Sequence, residues 1–201
     1  MRQAVLIAVA IAVLLLLAAA GLLRLASDTE SGAPTLTAGT ALAEPIPLAE
    51  FQLEDQSGHA FGRRDLEGEW SLLFAGFTHC PDACPATLAL LARLQARLHA
   101  DGHPLRVVFL SVDPERDTPE QLARYAGYFG ERILAATGER NEIDALAKSL
   151  GLAYVRVPGS GEHYSYDHST AVVLIDPAAR LAGYFRPPLD LDAIEHDLRR
   201  L

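Results

Sequence analysis

An α/β domain with a central sheet is the architecture that this 201-residue sequence predicts. Short apolar runs bounded by turn residues alternate along most of the chain with segments whose apolar residues recur at helical spacing. This alternation is the order of elements that places helices against a sheet. Half of the residues are apolar and 21% are charged, which is the composition of a packed globular domain rather than of a disordered chain.

The N-terminal segment has a different character from the domain. From Ala4 to Leu23, twenty residues pass without a charged or hydrogen-bonding side chain. A helix of this length measures about 30 Å, the thickness of the hydrocarbon core of a bilayer. Because Arg2 precedes the apolar run, we expect residues 1–24 to be a single-pass anchor in the inner, cytoplasmic membrane, with the domain on the periplasmic or extracytoplasmic side. A cleaved signal peptide also exports the domain, although its apolar core is usually only about 7–15 residues long.

A linker and a hairpin are predicted next. Residues 25–47 are small, polar and proline-containing, and we expect them to form a flexible linker. The domain proper is expected over residues 48–201. It opens with a β-hairpin in residues 51–62, because Ser57 and Gly58 offer a turn between two short strands.

A strand, a helix and a second strand are predicted to follow the hairpin. The run WSLLFAGF, residues 70–77, is continuously apolar and suits a buried strand. Beyond Pro85, leucines recur at helical spacing until Asp101 and Gly102 end the helix. The run LRVVFLSVD, residues 105–113, predicts a second buried strand.

The remaining elements continue the same alternation. Thr118 is placed to cap a helix, with Pro119 in its first turn and Gln121 closing a capping box. The run ILAATG predicts a short strand, and Asn141 is expected to cap the next helix. The runs YVRVPG, STAVVLIDP and LAGYFR predict closing strands, and apolar residues at helical spacing predict a C-terminal helix.

Charge and cysteine content narrow the possible functions. The net charge is −9, so we expect no binding to nucleic acid and no broad attraction to an anionic membrane surface. The chain has two cysteines. Outside the cytosol a close cysteine pair tends to oxidise, so a reduced pair needs a partner that keeps it reduced.

Both cysteines lie in the stretch GFTHCPDACPATL, where the strand at 70–77 turns into a helix. The free N–H groups and the helix dipole at such a turn favour the thiolate form of Cys80 and Cys84. The pair is a structural disulfide, a redox couple or part of a metal site. A bridge that closes so small a loop restrains the unfolded chain little, which counts against a purely structural disulfide.

The unit of strand, cysteine pair and helix resembles the thioredoxin fold. Proteins of that fold place two residues between their cysteines, and an X-Pro bond faces the pair before a late strand. Here three residues separate the cysteines, and the late strand is preceded by YSYDHSTAVVLI, which carries His168 and no proline. Loss of the proline opens access to the sulfurs, and the imidazole supplies a third ligand.

The motifs GFTHCPDACP, SVDPERDTPE and YDHSTAVVLIDP, in this order, resemble the SCO/SenC family over about residues 48–200. The resemblance implies a membrane-anchored, thioredoxin-like copper protein with a mixed sheet flanked by helices, and its copper ligands fall on Cys80, Cys84 and His168. Two thiolates and an imidazole suit Cu(I) and tolerate Cu(II). Structural zinc normally requires a fourth protein ligand. His79 and Asp82 are the candidates for it, but both are cramped by their proximity to Cys80 in sequence.

The same resemblance implies a metallochaperone that delivers copper to subunit II of cytochrome c oxidase or to a related cuproprotein. A copper donor and a thioredoxin-like reductant are further expected partners. The alternative is an enzyme, a thiol–disulfide reductase that keeps the target's cysteines reduced, with Cys80 and Cys84 as the redox pair and His168 as a proton shuttle. A third hypothesis, a thiol peroxidase, has less support. Such enzymes have a threonine shortly before the nucleophilic cysteine, and Thr78 is too close to Cys80 to match that pattern.

Overall fold

The computed structural model describes residues 35–159 and 164–201. The predicted anchor, residues 1–24, and the first part of the predicted linker lie outside these ranges. Within them, no helix combines the length and apolar character that a membrane span requires.

Within residues 35–159 and 164–201, ten strands form one large and one small sheet. In the large sheet the spatial order of the strands is β1-β10-β9-β4-β5-β6-β2-β3, while β7 and β8 form a separate two-stranded sheet. Within the large sheet β4, β5 and β6 run parallel, and the other neighbours are antiparallel. The strands are β1 Thr40–Pro47, β2 Gln52–Asp55, β3 Ala60–Gly62, β4 Trp70–Gly76, β5 Leu105–Ser111, β6 Ile133–Thr137, β7 Tyr154–Pro158, β8 Tyr164–His168, β9 Val172–Ile175 and β10 Arg180–Phe185.

In the part of the chain that the structure describes, three α-helices and one short 3₁₀ turn lie between strands, and a fourth α-helix follows the last strand. Two of the helices are the crossovers that parallel strands require between β4, β5 and β6. The prediction of a thioredoxin-like α/β domain with a mixed sheet is therefore confirmed. The bounds are α1 Ala83–Ala100, α2 Pro119–Gly127, α3 Arg140–Ser149, α4 Leu191–Leu198 and the 3₁₀ turn Arg63–Leu66.

The caps of the helices follow the predicted chemistry in one case and depart from it in another. Thr118 Oγ1 accepts a hydrogen bond of 3.3 Å from the amide of Gln121, as predicted for the cap, but Gln121 Oε1 accepts a hydrogen bond from Arg124 at 2.6 Å instead of closing the capping box. The expected cap at Asn141 is wrong, because the carbonyl of Glu139 already accepts the amides of Glu142 and Ile143. Helix α3 therefore begins two residues earlier than the polar side chain indicates.

The core lies around β4, the strand that leads into the cysteine motif. β4 is flanked by β5 and β9, and Phe74 pairs in register with Phe109 and Val172. Because both faces of β4 are covered, its side chains are buried almost without interruption, as the apolar run WSLLFAGF indicates. The apolar face of α1 packs on this core through Leu88, Leu91, Leu94 and Leu98, each 0–1% exposed.

Part of the predicted linker belongs to the domain. Thr40–Pro47 form β1, an edge strand paired antiparallel with β10, so the linker prediction is corrected over these residues. Thr37 and Ala38, just before β1, are bound by the carboxylate of Asp197 on α4. This carboxylate accepts hydrogen bonds from the Thr37 amide, from the Thr37 hydroxyl at 2.7 Å and from the Ala38 amide at 2.7 Å. The prolines that made this segment resemble a linker are tolerated because an edge strand leaves one row of backbone groups unpaired.

Candidate metal centre

The cysteine motif occupies the end of β4 nearest the start of α1. After Gly76 the chain turns through Thr78 and His79, so that Cys80 lies in the turn and Cys84 in the first turn of α1. Cys80 is partly exposed and Cys84 is buried, and both are free thiols. One sulfur therefore faces solvent while the other belongs to the core.

The three residues singled out in the sequence come together here. The Sγ atom of Cys84 lies 3.4 Å from Nε2 of His168, and the amide of Cys84 donates to Sγ of Cys80 at 3.4 Å. The ligand atoms of all three residues lie within 4.8 Å of one another. A single ion can therefore contact two sulfurs and one imidazole nitrogen with little side-chain movement.

The imidazole of His168 is oriented by its surroundings. Its Nδ1 lies 3.0 Å from the carbonyl oxygen of Ser169, which only accepts hydrogen bonds, so we assign the proton to Nδ1. This tautomer leaves Nε2 unprotonated and directed at the sulfurs. The rings of Phe74 and Phe77 pack edge-on against the imidazole, with centroids 5.8 and 6.0 Å away.

Burial dominates the chemistry of Cys84. Desolvation raises the pKa of its thiol far above the ordinary range, against the hydrogen bond from the Phe77 backbone, which lowers it. The expectation that the helix start favours a thiolate is therefore corrected for this residue. A metal that binds Cys84 must displace its proton, so metal binding at this site is coupled to proton release.

A glycine makes room for the buried sulfur. A Cβ atom at Gly76 would lie 2.7 Å from Sγ of Cys84 and 2.9 Å from the ring of Phe109. Real Cβ atoms do not approach other atoms this closely. Any larger residue at the end of β4 would therefore displace either the sulfur or the aromatic core beneath it.

A buried carboxylate fixes the turn that carries Cys80. Asp117, which is fully buried, accepts the Thr78 hydroxyl at 2.6 Å, the Thr78 amide at 2.9 Å and the Ser111 hydroxyl at 2.6 Å. Asp117 belongs to the motif SVDPERDTPE, but nothing in the sequence pattern indicates this role. Asp117 and Thr78 are 39 residues apart, so their contact depends on the tertiary structure and cannot be predicted from motif spacing in the sequence.

The candidates for a fourth ligand do not join the cluster. Among the described residues, the group of His, Cys and acidic side chains close enough to share an ion consists of the three already named. The side chain of His79 is half exposed, and its Nδ1 faces the Thr78 hydroxyl at 3.2 Å. Two thiols and one imidazole match copper better than structural zinc, which takes four ligands.

Known proteins resemble the chain in sequence and in structure. The sequence profile of the SCO1/SenC family matches residues 41–201. The mitochondrial SCO2 homologue of Bos taurus is 32% identical over 181 residues, which cover 89% of this chain and 68% of that protein. The structure of Bradyrhizobium japonicum ScoI with copper bound aligns with a TM-score of 0.71 and 32% identity, covering 78% of this chain and 100% of ScoI.

A further solved structure is that of BsSco, a member of the Sco family of cytochrome c oxidase assembly proteins in which a disulfide switch has been identified. It aligns with a TM-score of 0.63 and 25% identity, and the match covers 78% of this chain and 93% of BsSco.

Proposed function

Because this chain belongs to the SCO1/SenC family, we propose that it binds one copper ion at Cys80, Cys84 and His168 and carries it during assembly of a cytochrome c oxidase. The observation that carries this proposal is the convergence of two sulfurs and an imidazole nitrogen within 4.8 Å. The relative ScoI holds copper, and the relative BsSco belongs to a family of oxidase assembly proteins.

The unequal exposure of the ligands supports a route for copper transfer. The cargo leaves by ligand exchange, in which thiolates of the acceptor replace the ligands of this chain one at a time. His168, the weakest ligand, leaves first, and the partly exposed Cys80 then exchanges before the buried Cys84. The acceptor is the copper centre of cytochrome c oxidase subunit II or of a related cuproprotein. As the ion departs, Cys84 recovers its proton.

The apolar N-terminus supports a location for this activity. Residues 1–24 anchor the chain in the cytoplasmic membrane, and the domain works on the periplasmic or extracytoplasmic side. There the chain meets a copper donor and a thioredoxin-like reductant that keeps its cysteines reduced.

Copper titration of the reduced full chain in detergent micelles tests the proposal. We expect one Cu(I) per chain in competition with a chelator, and sulfur-to-copper charge transfer with Cu(II). Cys80→Ala should abolish tight binding because it removes one of two thiolates. His79→Ala is the matched control, since its side chain lies next to Cys80 but outside the cluster, and should bind as the native chain does. Stoichiometric tight binding by Cys80→Ala would contradict the proposed site.

The cysteine pair also favours a second candidate function, a thiol–disulfide reductase. Cys80, the more exposed sulfur, would attack a target disulfide as thiolate and form a mixed disulfide while one target thiolate leaves. Cys84 would then lose its proton and attack Cys80, which releases the second target thiol and leaves a Cys80–Cys84 disulfide. An external dithiol reductant must restore the pair.

The variant His168→Ala separates the two functions. A dithiol reductase keeps both sulfurs and should still reduce its target, only more slowly without the proton shuttle, whereas a copper carrier loses its third ligand and should no longer support oxidase assembly. Complementation of a strain that lacks the gene measures the second outcome. Full oxidase activity with His168→Ala would exclude the carrier function.

A further inference from the structure

The third predicted ligand, His168, lies on a strand that is not part of the large sheet. His168 ends β8, and β8 pairs only with β7 among the described strands. A two-stranded hairpin is at best marginally stable alone. The contacts that fasten this hairpin to the rest of the domain therefore decide where the imidazole of His168 lies.

Several of those contacts meet at the side chain of Tyr164, the first residue of β8. The guanidinium carbons of Arg116 and Arg156 each lie 3.7 Å from the centroid of its ring. Two groups cannot share one face at that distance, so they occupy opposite faces of the ring. Arg156 belongs to β7, whereas Arg116 belongs to the loop between β5 and α2. The stack thus joins the hairpin to the body of the domain.

Hydrogen bonds reinforce the stack on the side of the loop. The Tyr164 hydroxyl donates to Oδ1 of the fully buried Asp113 at 2.9 Å. Nη1 of Arg116 donates to the carbonyl of Tyr164 at 3.1 Å, and its Nε pairs with Asp113. The ring, the hydroxyl and the backbone of one tyrosine are therefore all held by residues 113–116.

The strand transmits this position to the metal centre. Tyr164, Tyr166 and His168 alternate along β8 and share one face, and the four steps from the first to the last span about 13 Å. The ring of Tyr166 packs on Phe77 at 5.6 Å, and Phe77 also contacts the imidazole of His168. The guanidinium group of Arg140 also donates a hydrogen bond of 3.2 Å to the Tyr166 hydroxyl.

We propose that Tyr164 and Arg116 are positioning residues that hold β8 so that His168 stays at the cysteine pair, although neither touches the metal ligands directly. The inference rests on the proposed copper site and extends it. Loosening the stack should free the imidazole while leaving both sulfurs in place, because the turn that carries Cys80 is held separately by Asp117. The expected product is a dithiol site without its nitrogen ligand.

Variants of the full chain in detergent micelles test this inference. Tyr164→Leu removes both ring and hydroxyl, Arg116→Met removes the charge but keeps the length, and Tyr164→Phe retains the stack. Arg186→Met is the matched control, since the exposed Arg186 lies over the ring of Tyr184 at 5.0 Å, a stack of the same kind between two residues that belong to neither β7 nor β8. Thermal unfolding identifies any variant that does not fold.

Two readouts separate positioning from general stability. The first readout is taken on the Cu(II)-loaded chain. It combines the Cu(II) affinity with the nitrogen hyperfine structure in the electron paramagnetic resonance spectrum. Tyr164→Leu and Arg116→Met should lose the nitrogen signal, and their Cu(II) affinity should fall by about 10- to 100-fold. The second is hydrogen exchange of the metal-free chain, in which amides of β7 and β8 should exchange about tenfold faster while those of β4 do not change. Tyr164→Phe should stay close to the native chain and Arg186→Met should match it.

The outcomes distinguish this inference from the proposed function. A native nitrogen signal and native exchange in Tyr164→Leu would overturn the positioning role. If Tyr164→Leu fails to fold, the same native behaviour in Arg116→Met overturns it. Failure of the native chain to bind copper would overturn the proposed function alone, because hydrogen exchange without metal still reports on the hairpin.

Discussion

Cys80 and Cys84 differ most in their contact with solvent, and this difference assigns them separate tasks. Cys80 is partly exposed and is the sulfur that an acceptor or a disulfide can reach. Cys84 is buried beside Gly76 and Phe109, and it completes the site from inside. The sequence alone shows that the two cysteines belong to one motif. It does not show their unequal burial, because this depends on the depth at which β4 ends.

The buried thiol makes the stability of the metal-free chain depend on pH. Burial raises the pKa of Cys84 above that of the unfolded thiol, which is about 8.5. Above that pH the unfolded chain has released the proton that the folded chain retains. The free energy of unfolding should therefore fall by up to about 1.4 kcal/mol per pH unit from this group.

Chemical unfolding of reduced chains at pH 8 and pH 10 measures this contribution. Cys84→Ala should show a shallower loss of stability between the two pH values than the native chain. Cys80→Ala, which keeps the buried thiol, is the control and should retain the steeper loss. An identical pH dependence in Cys84→Ala and the native chain would show that the burial of this thiol is not what the structure indicates.

At the scale of elements, the sequence predicted the regular elements well and the irregular ones poorly. The hairpin of β2 and β3, the buried strands β4 and β5 and the leucine-rich α1 each carry a clear period or a continuous apolar run. β1 and β8 were missed. The first contains two prolines, and the second, YSYDH, has polar residues where a buried strand would have apolar ones.

The segment before β1 provides an element-scale prediction. Burial alone would raise the pKa of Asp197, but hydrogen bonds from Thr37 and Ala38 outweigh it and lower the pKa. The attachment therefore stabilises the fold above the ordinary carboxyl pKa of about 3.9 and is lost as the pH falls through the lowered folded value. Asp197→Ala should lower the free energy of unfolding at neutral pH by about 2–3 kcal/mol.

Limited proteolysis and hydrogen exchange check the local part of this effect. In Asp197→Ala the amides of β1 should exchange faster, while those of β4 should stay protected. Asp192→Ala on the same helix is the control, because Asp192 is exposed and pairs only with Arg97 among the described residues. Equal protection of β1 in the Asp197 variant and the native chain would contradict the attachment.

At the scale of the whole molecule, the ligands of the site come from two parts of the chain that are distant in sequence, the cysteine motif and the end of β8. His168 lies 84 residues from Cys84, and it was identified through the family resemblance rather than through any local pattern. The supports of the site, Asp117 beneath the turn and Tyr164 on the hairpin, were not identified at all. Such contacts arise only when the sheet brings loops together, so a single sequence does not reveal them.

X-ray absorption of the copper-loaded full chain tests the central claim most directly, namely that Cys80, Cys84 and His168 hold one copper ion together. The account predicts two sulfur scatterers and one imidazole nitrogen in the native Cu(II) form, and two sulfurs without the nitrogen in His168→Ala. A native spectrum that shows a single sulfur, or no imidazole, would contradict it.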